Sequence, residues 1–399
     1  MSTRRNIGIL TGGGDCPGLN AVIRSATKSA IYLGYQVVGF RRGFEGLADL
    51  ETMVLNLDNT ATILDQGGTI LGSTNKGRFS AKVGDNESRQ VDPALIDLAK
   101  RNLNKLEIDG LICIGGDGSL SIAQQLFEAG APCVGVPKTI DNDLACTAFT
   151  FGFDSAVACA ANALDRLHTT AASHERVMVL EVMGRHAGWI ALHAGIAGGG
   201  DVILLPEIDW TFDGVCAKVL QRKQMGKEFT LVVVAEGAKL PGGDLVAQDS
   251  QDEHSQTRLG GIGEVVADQI SQRLDVETRC VVLGHLQRGG QPTYFDRCLA
   301  TQYGAHAIRL IEERKFGEMV TYNPPSVSSI KITEAVEHLS TVDPNGSAVQ
   351  AARAMSVSFG DSLGYENPFP QTQVGEKTFA ERYNIPSSVL SSSKYDDFE

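Results

Sequence analysis

Two short segments carry groups able to move a phosphoryl group. Gly115-Gly116-Asp117-Gly118-Ser119 follows the apolar run Leu111-Ile112-Cys113-Ile114. Pro137-Lys138-Thr139-Ile140-Asp141-Asn142-Asp143 follows Cys133-Val134-Gly135-Val136. Each sits where a buried strand leaves a sheet, and ligands of open α/β sheets bind at the strands' carboxyl ends. The glycines let backbone N–H groups approach a phosphate. Asp117 could cap the following helix or hold Mg²⁺, which binds through one or two carboxylates plus phosphate and water. Asp141 and Asp143 alternate along what reads as an extended turn, so one can take a proton from an attacking hydroxyl while the other holds neighbouring groups. Lys138 reads either as a charge on the transferring group or as a surface lysine.

Other groups fall at comparable places. Thr11-Gly12-Gly13-Gly14-Asp15 ends a first strand and precedes a helix, which gives a second phosphate loop. Met183-Gly184-Arg185-His186-Ala187-Gly188 follows a strand and opens a helix, so Arg185 would stand over a phosphate. Arg176, Arg279, His285 and Arg288 are further cations near strand ends, and an arginine fork suits a phosphate monoester. Glu236 ends the run Leu231-Val232-Val233-Val234-Ala235 and reads as an acceptor for sugar hydroxyls.

These residues need a frame of alternating strands and helices. Strand patterns occur at 6–10, 37–40, 177–182, 202–205, 229–235 and 279–283. Helix patterns occur after Pro17-Gly18, near 93–103 and 119–129, and over 296–313. The pattern predicts α/β architecture, with two doubly wound, mostly parallel-sheet lobes and the active site in the cleft between them. Residues 241–258 read as a polar loop, and the chain from 362 to 399 as a flexible tail.

The 399 residues suffice for two or three domains and a large core. A net charge of −13 argues against nucleic acid or anionic membrane as partners. The positive charge that anionic substrates need must therefore be gathered locally. The eight cysteines are nowhere closer than 13 residues, which leaves no short metal or redox pair and suggests small buried hydrophobes in a reducing compartment. No apolar stretch approaches the ~20 residues that span a bilayer. A cytoplasmic protein is expected.

Residues 11–20, 115–119, 137–143, 183–188 and 284–290 resemble, in order and spacing, the motifs of the phosphofructokinase family, and the resemblance runs over roughly residues 6–320. It implies phosphorylation of fructose 6-phosphate on its 1-hydroxyl. By motif, Asp141 resembles the catalytic base, with Thr139 and Ile140 beside it, and Asp117 the Mg²⁺ carboxylate. Gly13, Gly116, Asp117, Gly118 and Ser119 resemble the contacts to nucleotide phosphates. Met183, Gly184 and Arg185 match the segment near the reacting phosphoryl group and the sugar. Glu236, His285, Leu286, Gln287 and Arg288 match the sugar-phosphate side. Arg176 and Arg279 match arginines given by a neighbouring subunit, so the family expectation is an allosteric homotetramer. The implied division is 1–152 plus about 287–337 for the nucleotide lobe, and about 153–286 plus 338–361 for the sugar lobe.

The motifs are mixed on the donor. Pyrophosphate-using relatives carry aspartate at the position of Gly118 and lysine at that of Lys138, whereas ATP-using relatives usually carry glycine at both. An aspartate at 118 would crowd and repel a nucleotide phosphate, so ATP is the expected donor. Pyrophosphate is the alternative donor, and a kinase of another acceptor such as NAD the alternative class. In Leu71-Gly72-Ser73-Thr74-Asn75-Lys76-Gly77-Arg78, Asn75 falls where the family usually has an arginine for the nucleotide; Arg78 or Lys76 could replace it. At the family's effector site Arg24 is matched, but His168 and Asp201 replace an arginine and a glutamate, so no effector is carried over.

Overall fold

Alternation between apolar strands and amphipathic helices builds two sheets. The computed structural model describes residues 5–74, 77–79, 90–248 and 258–361. The expected tail from 362 onward and residues 249–257 of the polar loop at 241–258 lie outside the described residues.

The first sheet contains β1 (Asn6–Thr11), β2 (Gln36–Phe40), β3 (Thr52–Leu55), β4 (Ile108–Gly115), β5 (Cys133–Thr139), β13 (Glu318–Asn323) and β14 (Ser326–Lys331), with the two-residue β6 (Phe151–Gly152) on β5. Its order is β14-β13-β5-β4-β1-β2-β3. Neighbours from β13 to β2 are parallel, and β3 and β14 close the edges antiparallel. The second sheet is wholly parallel, in the order β12-β7-β9-β8: β12 (Thr278–Val282), β7 (Val177–Val182), β9 (Thr230–Ala235) and β8 (Val202–Leu204). A short ribbon pairs β10 (Ala247–Gln248) with β11 (Arg258–Leu259).

Strand side chains alternate between faces, and here both faces are covered. On β4, Ile112 and Ile114 pack toward α1 (Leu19–Tyr32) and α9 (Tyr294–Glu312). Leu111 and Cys113 pack toward α2 (Phe44–Asp49), α3 (Pro93–Lys105), α4 (Asp117–Glu128) and α10 (Ile332–Glu337). In the second sheet Leu180 and Val233 join α5 (Phe153–His174) and α6 (Trp189–Ala197) in the same core as α1 and α9. Val179 and Val232 face α7 (Phe212–Gln224) and α8 (Ile262–Leu274). One apolar layer is thus shared by the two sheets. The last helix, α11 (Ser347–Ala354), packs against α6.

Local chemistry starts the helices. Asp92 caps α3 by accepting the Ala94 N–H at 2.9 Å, with Pro93 in the first turn. Thr211 caps α7 by accepting from Gly214 at 3.0 Å. β12 is an edge strand of the second sheet, and Val282 is 47% exposed. One expectation needs correction. The cysteines are not uniformly buried: Cys146 and Cys298 are exposed, because one lies in the loop after β5 and the other on the outer side of α9. Among the described residues no helix is long and apolar enough to cross a membrane.

Candidate active site

In the first sheet β1 and β4 are neighbours whose chain connections leave in opposite directions, toward β2 and toward β5. That is a topological switch point, where the crevice at the strands' carboxyl ends takes ligands. Both glycine turns lie there, after β1 and after β4. Their approach is close enough to exclude side chains. A Cβ on Gly12 would stand 2.5 Å from the Ser119 Oγ, and one on Gly115 would be closer still to the Ser119 Cβ. Gly116 ends β4's exit and α4 begins at Asp117, whose first-turn N–H groups, with those of Gly118 and Ser119, precede the first intrahelical bond from Leu120 to Gly116. The positive end of the helix dipole therefore opens onto the same place.

Lys138, on β5, is buried rather than on the surface, and its Nζ donates to the Gly14 carbonyl. Burial lowers its pKa, and nearby Asp15 and Asp117 oppose that shift. Its ammonium holds the first glycine loop, 3.6 Å from where a Gly13 Cβ would be. Arg288 reaches the same loop from the short 3-10 helix 284–288 after β12, donating from Nη1 to the Asp15 carbonyl at 3.0 Å.

The turn after β5 is not extended as the alternation implied. Asn142 adopts φ +53°, held by its own side chain, which accepts from the Thr150 N–H at 2.9 Å and donates to the Ala148 carbonyl at 3.2 Å. The two aspartates nevertheless meet different neighbours. Asp141 lies in the field of Asp143, Arg288, Glu236 and Lys138, and its carboxyl is pushed up to about 7, chiefly by burial. Its Oδ1 is buried without a hydrogen-bond partner, and its backbone N–H rests on the Thr139 Oγ1 at 3.1 Å. Asp143 is also raised, by burial and then by the charge of Asp117, while its bond to Thr139 and the field of His186 oppose the rise.

The second sheet contributes from three adjacent carboxyl ends. Met183, Gly184 and Arg185 follow β7, Glu236 follows β9, and His285 to Arg288 follow β12. A Cβ on Gly237 would overlap the Arg185 carbonyl, so Glu236 and Arg185 belong to two tightly apposed turns. Burial raises the Glu236 carboxyl, and Arg185 opposes it most. Gln287 is fully buried and accepts the Met183 N–H at 2.8 Å, so it ties the two turns together with its side chain. Ile140 is likewise fully buried. His285 and Leu286 are exposed.

Three expected residues lie elsewhere or are already engaged. Arg176 precedes β7 and Arg279 lies near the start of β12, at the opposite ends of their strands from Arg185 and His285. Both pair with Glu277, at 2.8 and 2.6 Å. The six residues of β7 put Arg176 roughly 20 Å from the turn that follows it, and the rest of β12 puts Arg279 roughly 13 Å from its own. Arg78 is held by Glu45 and Asp49 of α2 at 2.7 and 2.6 Å; Asn75 and Lys76 lie outside the described residues. At the two positions where the family's residues are replaced, Asp201 is paired with Arg222 at 2.5 Å and His168 stacks edge-on against Phe229.

Among the described residues no group of three or more His, Cys, Asp or Glu is arranged as a metal cluster. Mg²⁺ bound mainly through phosphate oxygens and water needs no such cluster. The donor chemistry here fits it: Asp117 and Asp143 are oxygen donors whose charges act on one another across the phosphate turns.

The phosphofructokinase family model matches residues 6–311. A protein of Chloroflexus aurantiacus named ATP-dependent 6-phosphofructokinase is 49% identical over 91% of this chain and 99% of its own length. A Streptomyces coelicolor protein named pyrophosphate–fructose 6-phosphate 1-phosphotransferase is 48% identical over 85% of this chain and 96% of its own. The crystal structure of Pichia pastoris phosphofructokinase superposes with a TM-score of 0.74 at 29% identity, over 92% of this chain and 38% of that one.

Proposed function

The chain belongs to the phosphofructokinase family, and on that basis we propose that it is an ATP-dependent 6-phosphofructokinase, moving the terminal phosphoryl group of ATP to the 1-hydroxyl of fructose 6-phosphate. One observation carries the chemistry. Asp141 is a buried carboxyl with a free oxygen and a pKa of about 7, set between two phosphate turns and the Arg185–Glu236 turns. A base poised near neutrality and facing cations suits proton removal from an alcohol.

The ATP phosphates lie on the N–H groups of the two glycine turns. Asp117, with Asp143 facing it, would hold Mg²⁺, which supplies charge neutralisation for the phosphate oxygens. Asp141 takes the proton of the sugar hydroxyl as that oxygen attacks in line. Arg185 compensates charge on the moving group. Lys138 acts by holding the Gly14 loop in place as well as by its charge. Glu236 accepts from sugar hydroxyls, and Arg288 meets the substrate phosphate by exchanging the Asp15 carbonyl for it. We assign the first sheet's lobe to the nucleotide and the second to the sugar phosphate. Arg176 and Arg279, too far from their own turns, serve a neighbouring protomer in a homotetramer. The free thiols fit a reducing cytoplasm.

ATP is favoured over pyrophosphate because residue 118, buried in the first turn of α4, is glycine, and most of the relatives compared carry ATP-dependent names. The test is transfer by pure protein to fructose 6-phosphate with ATP and with pyrophosphate at equal concentration. Turnover with ATP well above that with pyrophosphate is expected; the reverse overturns the donor, and no transfer from either overturns the reaction.

A further inference from the structure

A short segment of chain, residues 339–342, crosses from the aspartate turn of one sheet to the arginine turn of the other. At one end Leu339 pairs antiparallel with Leu144, and the Ser340 N–H donates to the Asp143 carbonyl at 2.8 Å. At the other end the Ser340 carbonyl accepts the Trp189 indole N–H at 3.0 Å. Two residues on, the Val342 N–H donates to the Glu207 Oε1 at 2.8 Å. The same carboxylate accepts the Gly188 N–H at 2.9 and 3.2 Å. Gly188 and Trp189 lead into α6 directly after Arg185 and His186. One residue, Ser340, thus touches the base's turn through its N–H and the helix after the arginine turn through its carbonyl, and Glu207 fastens both segments of that junction.

We infer that Trp189 and Glu207 are positioning residues, which through residues 339–342 fix the Arg185 turn against the Asp141–Asp143 turn. The inference rests on the proposed reaction, in which Asp141 and Arg185 act on opposite sides of one phosphoryl group. Their separation must then be held closely, because a misplacement of about 1 Å can cost roughly 100-fold in rate. Glu207 is suited to the task. Burial raises its carboxyl, and the N–H groups of Val342 and Gly188 oppose that rise, so the buried charge is met by backbone donors from both segments. Both residues bond main-chain groups of the segments that carry the two turns, and their loss should therefore affect the chemical step more than either binding step.

Trp189→Phe keeps an aromatic ring but loses the indole N–H together with the pyrrole part of the ring. It should lower kcat about tenfold, the worth of roughly one hydrogen bond, with KM for both substrates within about threefold. The pH midpoint set by Asp141 should not move. Hydrogen exchange should quicken in the peptide covering residues 139–148, although the substitution is on α6. Glu207→Gln, which keeps the Oε1 acceptor, should retain more activity than Glu207→Ala and serves if the phenylalanine variant does not fold. Unchanged exchange at 139–148 in a folded variant, or a loss confined to KM, overturns the inference. A wild type without transfer to fructose 6-phosphate overturns the proposed reaction instead and leaves the exchange result to judge the positioning through residues 339–342.

Discussion

Replacing Asp141 by Asn tests the base with two effects of opposite sign. A carboxyl with a pKa of about 7 is about one-tenth ionised at pH 6 and about nine-tenths at pH 8, so wild-type kcat/KM should rise roughly ninefold across that interval. Asn cannot take the proton, and loss of a general base lowers kcat by about 10²–10⁴. The residual rate should lose the pH step near 7. Stability moves the other way. Burial raises this carboxyl from its ordinary 3.8, so its contribution to stability is fully present below about pH 4 and is lost as pH rises to about 7. Above that, ionising it opposes folding by at most about 4 kcal/mol, which a neutral amide avoids. Asp141→Asn should therefore be nearly inactive yet melt higher than wild type at pH 8, with the gap closing toward pH 4. Initial rates from pH 5.5 to 8.5 and melting curves over the same range and down to pH 4 measure both. Activity within tenfold of wild type, or a pH step surviving in the variant, would refute the assignment of the base.

Gly118→Asp should depress ATP use by more than tenfold through repulsion of the nucleotide phosphates, while KM for fructose 6-phosphate stays within about threefold; steady-state kinetics in each substrate would expose the opposite pattern. Gly115→Ala forces a methyl group against the Ser119 side chain, so denaturant unfolding should show a loss of about 1–3 kcal/mol, together with weaker ATP binding. If Arg176 serves a neighbouring protomer, Arg176→Ala and Asp141→Asn chains, each nearly inactive alone, should regain activity when co-assembled, and a mixed oligomer as inactive as its parents would count against a shared site.

The parallel strands are legible because burial on both faces leaves continuous apolar runs, as in Leu231-Val232-Val233-Val234-Ala235, where every residue is buried. Their carboxyl ends locate the glycine turns, Asp141, Arg185 and Glu236 directly. The helix α5 is harder to see, since its core face is mostly small residues, Ser155, Ala156, Ala160 and Ala171, with few large apolar anchors. The exposure of β12 depends on its being last in the sheet order, which residue pattern does not encode. The state of Lys138 was also hidden, because its partner is a backbone carbonyl 124 residues away. Trp189 and Glu207 give no signal for the same reason: they act on main-chain groups of residues 188 and 340–342, and any sequence can supply those.

The central claim is that Asp117 and Asp141 serve one phosphoryl group in a single cleft. A crystal structure with a non-hydrolysable ATP analogue, Mg²⁺ and fructose 6-phosphate measures it most directly. The Asp141 carboxylate is expected about 3 Å from the sugar 1-hydroxyl, with the analogue's terminal phosphate between that hydroxyl and the Asp117 side. A 1-hydroxyl bound away from Asp141, or phosphates seated away from the 12–14 and 115–119 turns, would contradict it.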